Sequence, residues 1–271
     1  MTVKLLGVPY DTHSSFLRGP ALAPSAIRAA LTCGSANWCT ESGLDLDPDV
    51  NSDWIDIGDV DVPHAGPDAV DAIRAAAAGA MADGASLLSL GGDHMVTWPL
   101  VQAVTDRFDG LTIVHFDAHP DLYDSLDGDR HSHACPFARI MEEGKVSRLV
   151  QLGIRTMNPH QREQADRFDV EVHELRDWDG TVPPLSGPVY VTVDIDALDP
   201  AFAPGVSHHE PGGLSTRQLL DAIRQIGAGD GVVVGADVVE LNPTRDVNDV
   251  TAMVAAKLAR ELLGLLIEAT P

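Results

Sequence analysis

Eight short runs of apolar, largely β-branched residues recur along the chain and constrain its fold more than any other feature. The runs read VKLLGV, WIDIGDV, ASLLSLGG, LTIVHFDAH, VSRLVQLGI, VEVHEL, VYVTVDID and VVVGADVVEL. Stretches with helical spacing separate many of them, at 67–82, 97–108, 159–168, 215–227 and roughly 249–268. Strands that alternate with helices favour parallel pairing with helices on both faces. The sequence therefore predicts an α/β fold in three layers, α/β/α, around a mostly parallel sheet of eight strands.

The length of 271 residues is compatible with one large domain. No Pro/Gly/Ser-rich linker or repeat divides the chain, so we interpret residues 1–271 as a single domain. The 41 acidic and 18 basic residues give a formal net charge of -23, which repels phosphate polyanions and attracts small cations. We therefore expect no nucleic acid partner.

The sequence also predicts a cytoplasmic protein without a membrane partner. No apolar stretch approaches the ~20 residues that a membrane span needs, and the N-terminus lacks the pattern of a signal peptide. Cys33, Cys39 and Cys135 are an odd number without metal-ligand spacing, which is typical of a reducing compartment. Cys135 follows His133 closely enough to be read as a nucleophile beside a base, but a structural thiol is the default interpretation.

Polar side chains follow four of the predicted strands at the point where each strand ends. The four segments are GGDH at 91–94, DAHPD at 117–121, DIDALDP at 194–200 and VVELNP at 238–243. Ligands of open α/β sheets bind outside the carboxyl ends of the strands, so these segments are the first candidates for chemistry. Because side chains alternate along a strand, Asp117 and His119 are expected on one side, as are Asp194 and Asp196.

Six residues of these segments could act as metal ligands. They are His94, Asp117, His119, Asp121, Asp194 and Asp196. Unpaired like charges ~4 Å apart repel by ~4 kcal/mol per pair at an effective dielectric near 20, so the carboxylates require a cation. One ion cannot use six ligands and balance four negative charges, whereas two ions that share bridging carboxylates can. The sequence predicts two divalent ions, most simply Mn²⁺, with Ni²⁺, Co²⁺ or Fe²⁺ as alternatives.

The motifs GGDH, DAHPD and DIDALDPAFAPG together resemble those of the ureohydrolase family of arginases and agmatinases. The resemblance runs from SSFLRGPALAP to TAMVAAKLARELL, and SHACPFARIME and VSHHEPGG look most like the plant-type arginases. It implies an arginase-like fold and a hydrolase that releases urea from a guanidino compound. It also implies a homo-oligomer, since family members commonly form trimers and hexamers.

The resemblance assigns the six ligands to two ions. The first ion would be held by His94 and Asp121, the second by His119 and Asp196, and both would be bridged by Asp117 and Asp194. Gly91 and Gly92 would let the backbone approach this metal shell closely.

Two further residues take roles in the reaction by resemblance. Glu240 matches the family carboxylate that hydrogen-bonds the guanidinium of the substrate. His133 aligns with the proton-shuttle histidine, with His131 as a rival, because an imidazole titrates near pH ~6.5. Asp121 is counted among the catalytic groups as well as the ligands.

The remaining polar residues near the motifs are interpreted as supporting groups. His115 is expected to be a hydrogen-bonded core residue. The segment 208–210 is expected at the cavity mouth or in a solvated turn. Asp93, Asp199 and Asp237 are expected to support the ligands or to stabilise turns.

The substrate is the least constrained inference, and agmatine is favoured narrowly over L-arginine. Animal arginases carry an Asn and Thr/Ser-rich stretch after the metal ligands, where this chain has the acidic segment LYDSLDGDRHSH. Asp124, Asp127 and Asp129 would suit the ammonium of agmatine, whereas Arg130 could meet a substrate carboxylate. Guanidinobutyrate and guanidine are further possibilities. The expected partner is a small cationic guanidino compound.

Two other classes of protein remain as alternatives. A deacetylase-like metal amidohydrolase would use a related parallel sheet with Asp and His ligands, but it would normally need one metal. A non-catalytic relative should lack a ligand or the Glu240 carboxylate, and none of these residues is missing.

Overall fold

The computed structural model describes residues 2–62 and 67–269, and its eight strands form one sheet. The strands are β1 (Val3–Gly7), β2 (Trp54–Asp59), β3 (Ser86–Leu90), β4 (Leu111–Phe116), β5 (Val146–Ile154), β6 (Glu171–Glu174), β7 (Ser186–Asp194) and β8 (Asp230–Val239). Every neighbouring pair runs parallel, in the order β2-β1-β3-β8-β7-β4-β5-β6. All eight predicted strands are confirmed, and the sheet is parallel throughout these strands.

Seven α-helices connect the strands within the described residues. They are α1 (Ala23–Leu31), α2 (Pro67–Ala80), α3 (Thr97–Thr105), α4 (Pro136–Glu142), α5 (Pro159–Arg167), α6 (Thr216–Gly227) and α7 (Val250–Glu268). The sequence pattern predicts five of them and misses α1 and α4. Within residues 2–62 and 67–269, no helix combines the length and the apolar character that crossing a bilayer would require.

The helices cover both faces of the sheet, which confirms the three-layer prediction. Helices α1, α6 and α7 share one apolar core with the sheet, and α2, α3, α4 and α5 share the core on the opposite face. The strand β4 lies deep between these layers and all six of its residues are buried. The edge strand β2 is largely exposed, because it has only one neighbour and little cover.

The strands that carry the predicted functional segments lie side by side at the centre of the sheet, in the order β3-β8-β7-β4. Gly92 permits close packing after β3, since a Cβ there would lie 1.7 Å from the carbonyl oxygen of Tyr10. A Cβ on Gly91 would lie 2.5 Å from a methyl group of Val239. The two glycines thus allow the loop after β1 and the strand β8 to approach. The close approach of the backbone to a metal shell, which the family resemblance implies, stays a prediction.

Candidate active site

The two segments richest in acids leave their strands by the same turn. Strand β4 ends one residue before Asp117, and the Asp117 carboxylate accepts a hydrogen bond from the backbone N–H of His119 at 2.6 Å. Asp194 ends β7 and accepts from the N–H of Asp196 at 2.7 Å. An aspartate that binds the backbone two residues onward stabilises a turn. Alternation along a strand is therefore the wrong explanation for these pairs, although each pair does lie together.

His94 brings one ring nitrogen against three of the predicted ligands. Its Nδ1 lies 3.1 Å from Asp117 Oδ2 and 3.2 Å from both Asp121 Oδ2 and Asp194 Oδ2. Burial disfavours the charged ring, yet the three carboxylates raise the pKa of His94 well above its usual range. The three carboxylates around Nδ1 therefore favour a positive charge at this atom.

The buried surroundings of His94 fit a metal cation. Nδ1 has no hydrogen bond with correct geometry in the described residues, while Nε2 lies 3.1 Å from the hydroxyl of Thr192. An Nε2–H donated to Thr192 leaves a lone pair on Nδ1 that faces the carboxylate oxygens. The lone pair and the three carboxylate oxygens repel one another. A divalent ion bound by all four atoms would remove this repulsion.

A second group of ligands lies beside the first. His119 Nδ1 is 3.1 Å from Asp196 Oδ2 and 3.4 Å from Asp117 Oδ1, and these three residues could hold an ion. The backbone N–H of Ala118 donates to Asp196 Oδ1 at 3.1 Å, which joins the turn after β4 to the turn after β7. The structure therefore brings all six predicted ligands together around Asp117.

The crowded carboxylates resist ionisation unequally. Burial, together with Asp196 and Asp117, raises the pKa of Asp194 well above its usual range. Burial also raises the pKa of Asp196 to about 6, with Asp117 adding to the rise and His119 opposing it. For Asp117, burial is outweighed by His115 and other imidazoles, which hold its pKa well below the usual range. The raised pKa values of Asp194 and Asp196 are the response expected of buried like charges, and the lowered pKa of Asp117 is the response to neighbouring imidazoles.

His115 is a hydrogen-bonded core residue, as predicted. Its Nε2 lies 2.7 Å from Asp117 Oδ2, and its Nδ1 accepts from the amide of Gln151 at 3.0 Å. Gln151 also donates to the carbonyl of Pro120 at 2.6 Å. This chain of bonds fixes the position of the buried Asp117 side chain.

Glu240 follows β8 in a left-handed backbone conformation, with φ 65°. Its Oε1 accepts from the backbone N–H of His94 at 2.9 Å and lies 3.2 Å from His133 Nδ1. Burial disfavours ionisation, but His133 outweighs it and lowers the pKa of Glu240. The same pairing raises the pKa of His133 to about 9 against the effect of burial. His131, the rival, packs instead on Trp98, with ring centroids 5.4 Å apart.

Glu240 and four of the six proposed ligands line a cavity of about 200 Å³, namely His119, Asp121, Asp194 and Asp196. The other two, His94 and Asp117, are fully buried and do not line it. The cavity wall includes residues outside the predicted site, namely Ser15, Tyr123, Leu126, Thr156, Asn158 and Gln161. Asn158 caps α5 and donates its amide to the Tyr123 hydroxyl at 2.7 Å. The sequence signal was a helix start, Asn-Pro with Gln at the third helical position, which does not report a cavity.

The acids expected to bind an ammonium lie away from this wall. Asp124 pairs with Arg130 at 2.6 Å and with Arg139 at 3.2 Å. Asp129 pairs with His13 at 2.6 Å. Asp127 is exposed at a turn. None of these three acids lines the cavity, so the structure removes the main argument for agmatine.

Other predicted residues take supporting positions. Asp237 is buried and accepts from the hydroxyls of Thr97 at 2.9 Å and Tyr190 at 2.7 Å. Asp93 caps the short 3-10 helix that begins at His94. Asp199 holds a turn by accepting from three backbone N–H groups, at 2.7 to 3.1 Å. These positions agree with the predicted roles.

The residues predicted at the cavity mouth differ in their surroundings. His208 lines the cavity, whereas His209 is exposed and contacts the carbonyl of Pro204 at 2.8 Å.

Cys135 is buried and free, and burial raises the pKa of its thiol to about 12. A thiol so reluctant to ionise is unsuited to nucleophilic catalysis.

Comparison with known proteins agrees with this geometry. Residues 1–264 match the model of the Arginase family. Arginase 1, mitochondrial, of Arabidopsis thaliana is 48% identical over 281 residues, which cover 96% of this chain and 80% of that protein. Agmatinase of Bacillus subtilis is 33% identical, with 96% and 90% covered. The structure of arginase from Medicago truncatula superposes with a TM-score of 0.88 at 42% identity, over 98% of this chain and 87% of that one.

Proposed function

Because the chain belongs to the Arginase family, whose members are metal-dependent amidinohydrolases, we propose that it hydrolyses L-arginine to L-ornithine and urea. The observation that carries this choice is that the cavity wall offers no carboxylate beyond the proposed metal ligands and Glu240 among the described residues. The similarity to the arginase of Arabidopsis thaliana supports it.

The wall discriminates between substrates by charge. Apart from the proposed metal ligands and Glu240, the described residues that line the cavity include no carboxylate. The distal ammonium of agmatine would therefore lack a charged partner there. The α-ammonium and α-carboxylate of L-arginine balance each other and suit neutral hydrogen-bonding groups such as Thr156 and Asn158.

Glu240 is the proposed partner of the guanidinium. Both protein contacts of its carboxylate fall on Oε1, and the structure gives Oε2 no hydrogen-bond partner in the described part of the chain. Glu240 lines the cavity and its pKa is lowered, so an ionised oxygen is available to a cation. A charge-assisted hydrogen bond to the guanidinium would fix the reacting carbon in place.

The proposed ligands of two divalent ions are those predicted from the sequence. His94 and Asp121 would hold one ion, His119 and Asp196 the other, with Asp117 and Asp194 shared. The convergence of their ligand atoms supports this assignment. Bound divalent ions would lower the pKa of water and so supply hydroxide near neutral pH. Mn²⁺ is the proposed metal, because the ligands are mainly oxygen atoms.

His133 is the proposed donor of a proton to the departing amine. Its raised pKa keeps the ring charged at neutral pH, with hydrogens on both Nδ1 and Nε2. Nδ1–H faces Glu240 and fixes the ring on the cavity wall. The Nε2–H bond would break as the carbon–nitrogen bond of the substrate breaks, leaving the electron pair on Nε2.

Urea release from L-arginine, agmatine, guanidinobutyrate and guanidine, after reconstitution with Mn²⁺ or Ni²⁺, tests the proposal. We expect the highest kcat/KM with L-arginine. A higher value with agmatine would show that the 33% identical agmatinase is the better guide to this chain. Release of acetate from acetylated lysine without any urea would indicate the deacetylase-like class instead. Cytoplasmic location and homo-oligomer formation stay predictions.

A further inference from the structure

The hydroxyl of Ser15 lies between two imidazoles at the edge of the cavity. Its Oγ is 2.9 Å from His133 Nε2 and 3.4 Å from His208 Nε2. The two rings are stacked, with centroids 4.6 Å apart and planes at 24°. The three residues come from distant parts of the sequence, so the fold builds this contact.

His133 is consequently held at both ring nitrogens. Glu240 faces Nδ1 at 3.2 Å and Ser15 faces Nε2 at 2.9 Å. A hydroxyl can accept a hydrogen bond from Nε2–H and can donate one to a bare Nε2. Ser15 can therefore satisfy His133 both before and after it loses a proton, which a carbonyl oxygen could not do. Its single hydrogen means that it can donate to only one imidazole at a time, so at least one of the two rings must donate to it.

The loop that carries Ser15 is fixed at several points. The backbone N–H of Asp93 donates to the carbonyl of Tyr10 at 2.8 Å, and the N–H of His133 donates to the carbonyl of His13 at 3.2 Å. On the other side of Ser15, the hydroxyl of Ser207 donates to the carbonyl of Leu17 at 2.7 Å. The last bond joins the loop to the segment that bears His208.

We propose that Ser15 is a positioning residue, which holds the His133 ring through Nε2 until the departing amine takes that hydrogen, then donates to the bare Nε2, and links the ring to His208. The inference rests on the proposed function, because orientation of His133 affects turnover only if this ring donates the proton. Ser15 itself is exposed at the surface, so its replacement by alanine costs little packing.

Kinetic analysis of Ser15→Ala, Ser15→Thr and the control Ser14→Ala tests the proposal. Ser14 lies on the same loop, but its hydroxyl is 3.5 Å from Asp93 rather than beside an imidazole. We expect Ser15→Ala to lower kcat by about 10- to 100-fold, with KM within about twofold and metal content unchanged. Ser15→Thr should recover most of the loss, because it keeps the hydroxyl. The pH profile of kcat should change in Ser15→Ala and not in Ser14→Ala.

A double-mutant cycle with His208→Phe tests the link between the two imidazoles. Phenylalanine keeps a stacking ring and removes the nitrogen atoms, so its effect should be much smaller in Ser15→Ala than in the wild type. Additive effects would overturn the link. Wild-type kcat in Ser15→Ala, or a change confined to KM, would overturn the positioning role. If the wild-type protein released no urea, the proposed function itself would fail, which is a separate outcome.

Discussion

Glu240 divides its two carboxylate oxygens between the protein and the cavity, and this division makes its charge testable. Oε1 is used by the N–H of His94 and by His133, while Oε2 is left for a ligand. In Glu240→Gln the amide oxygen can keep the contacts of Oε1. The amide NH₂ then faces the guanidinium, where it can only donate.

We expect Glu240→Gln to lower kcat/KM for every guanidino substrate. A hydrogen bond to a charged group contributes about 1.5–3 kcal/mol, which corresponds to a loss of roughly 10- to 200-fold. Steady-state kinetics, with metal content and thermal melting as controls, measure this effect. Both controls should match the wild type, since the residue does not belong to the proposed ligands. Full activity in the variant would mean that Glu240 serves only the fold.

At the scale of elements, Asp194 at the end of β7 and Asp199 in the segment that follows it have different roles. Asp194 holds the 3-10 helix that follows β7 through Oδ1 and faces His94 through Oδ2. Asp199 is bonded to backbone N–H groups of a turn, including those of Gly212 and Gly213. Only the first of these residues lies among the proposed metal ligands.

Asp194→Asn and Asp199→Asn should therefore separate metal binding from turn stability. We expect Asp194→Asn to lose metal and turnover together, because a shared carboxylate is replaced by a neutral amide. Asp199→Asn should lower Tm slightly with turnover and metal content retained. Elemental analysis and urea release on both variants give the comparison. Equal and mild effects would show that the ligands have been assigned to the wrong residues.

The strands were predictable because parallel strands buried on both faces are continuous apolar runs. The helix α4 has seven residues, too few for a helical period to be recognised, and α1 begins Ala-Pro-Ser, which also fits a loop. The convergence of the six proposed ligands was predictable, but their geometry was not. Strand β4 stops at Phe116, so the turn at Asp117, rather than strand alternation, directs His119.

The cavity wall shows the same limit at the scale of the whole molecule. Tyr123 and Asn158 meet only because β4 and β5 are neighbours in the sheet and their following segments leave at the same edge. Similarly, Ser15 lies in the loop that follows β1, and His133 lies in the segment that follows β4. Strands β3, β8 and β7 lie between β1 and β4 in the sheet, yet the two side chains are in contact. Sequence spacing carries no record of such strand order, so these contacts required the structure.

The whole molecule should depend on the two proposed ions for stability as well as activity. Four carboxylates converge in the interior of a chain whose net charge is already -23, and burial raises the pKa of Asp194 and Asp196.

An ion present at 100 to 1,000 times its dissociation constant stabilises the native state by about 3–4 kcal/mol. With about 2–4 °C per kcal/mol for a domain of this size, a chelator should lower Tm by roughly 6–16 °C for each ion that it removes. Thermal melting with and without chelator measures the shift, and Asp194→Asn, with its site already impaired, should respond much less. An unchanged Tm in a wild-type protein that holds no metal by elemental analysis would contradict the two-metal proposal, because the crowded carboxylates would then be stable alone.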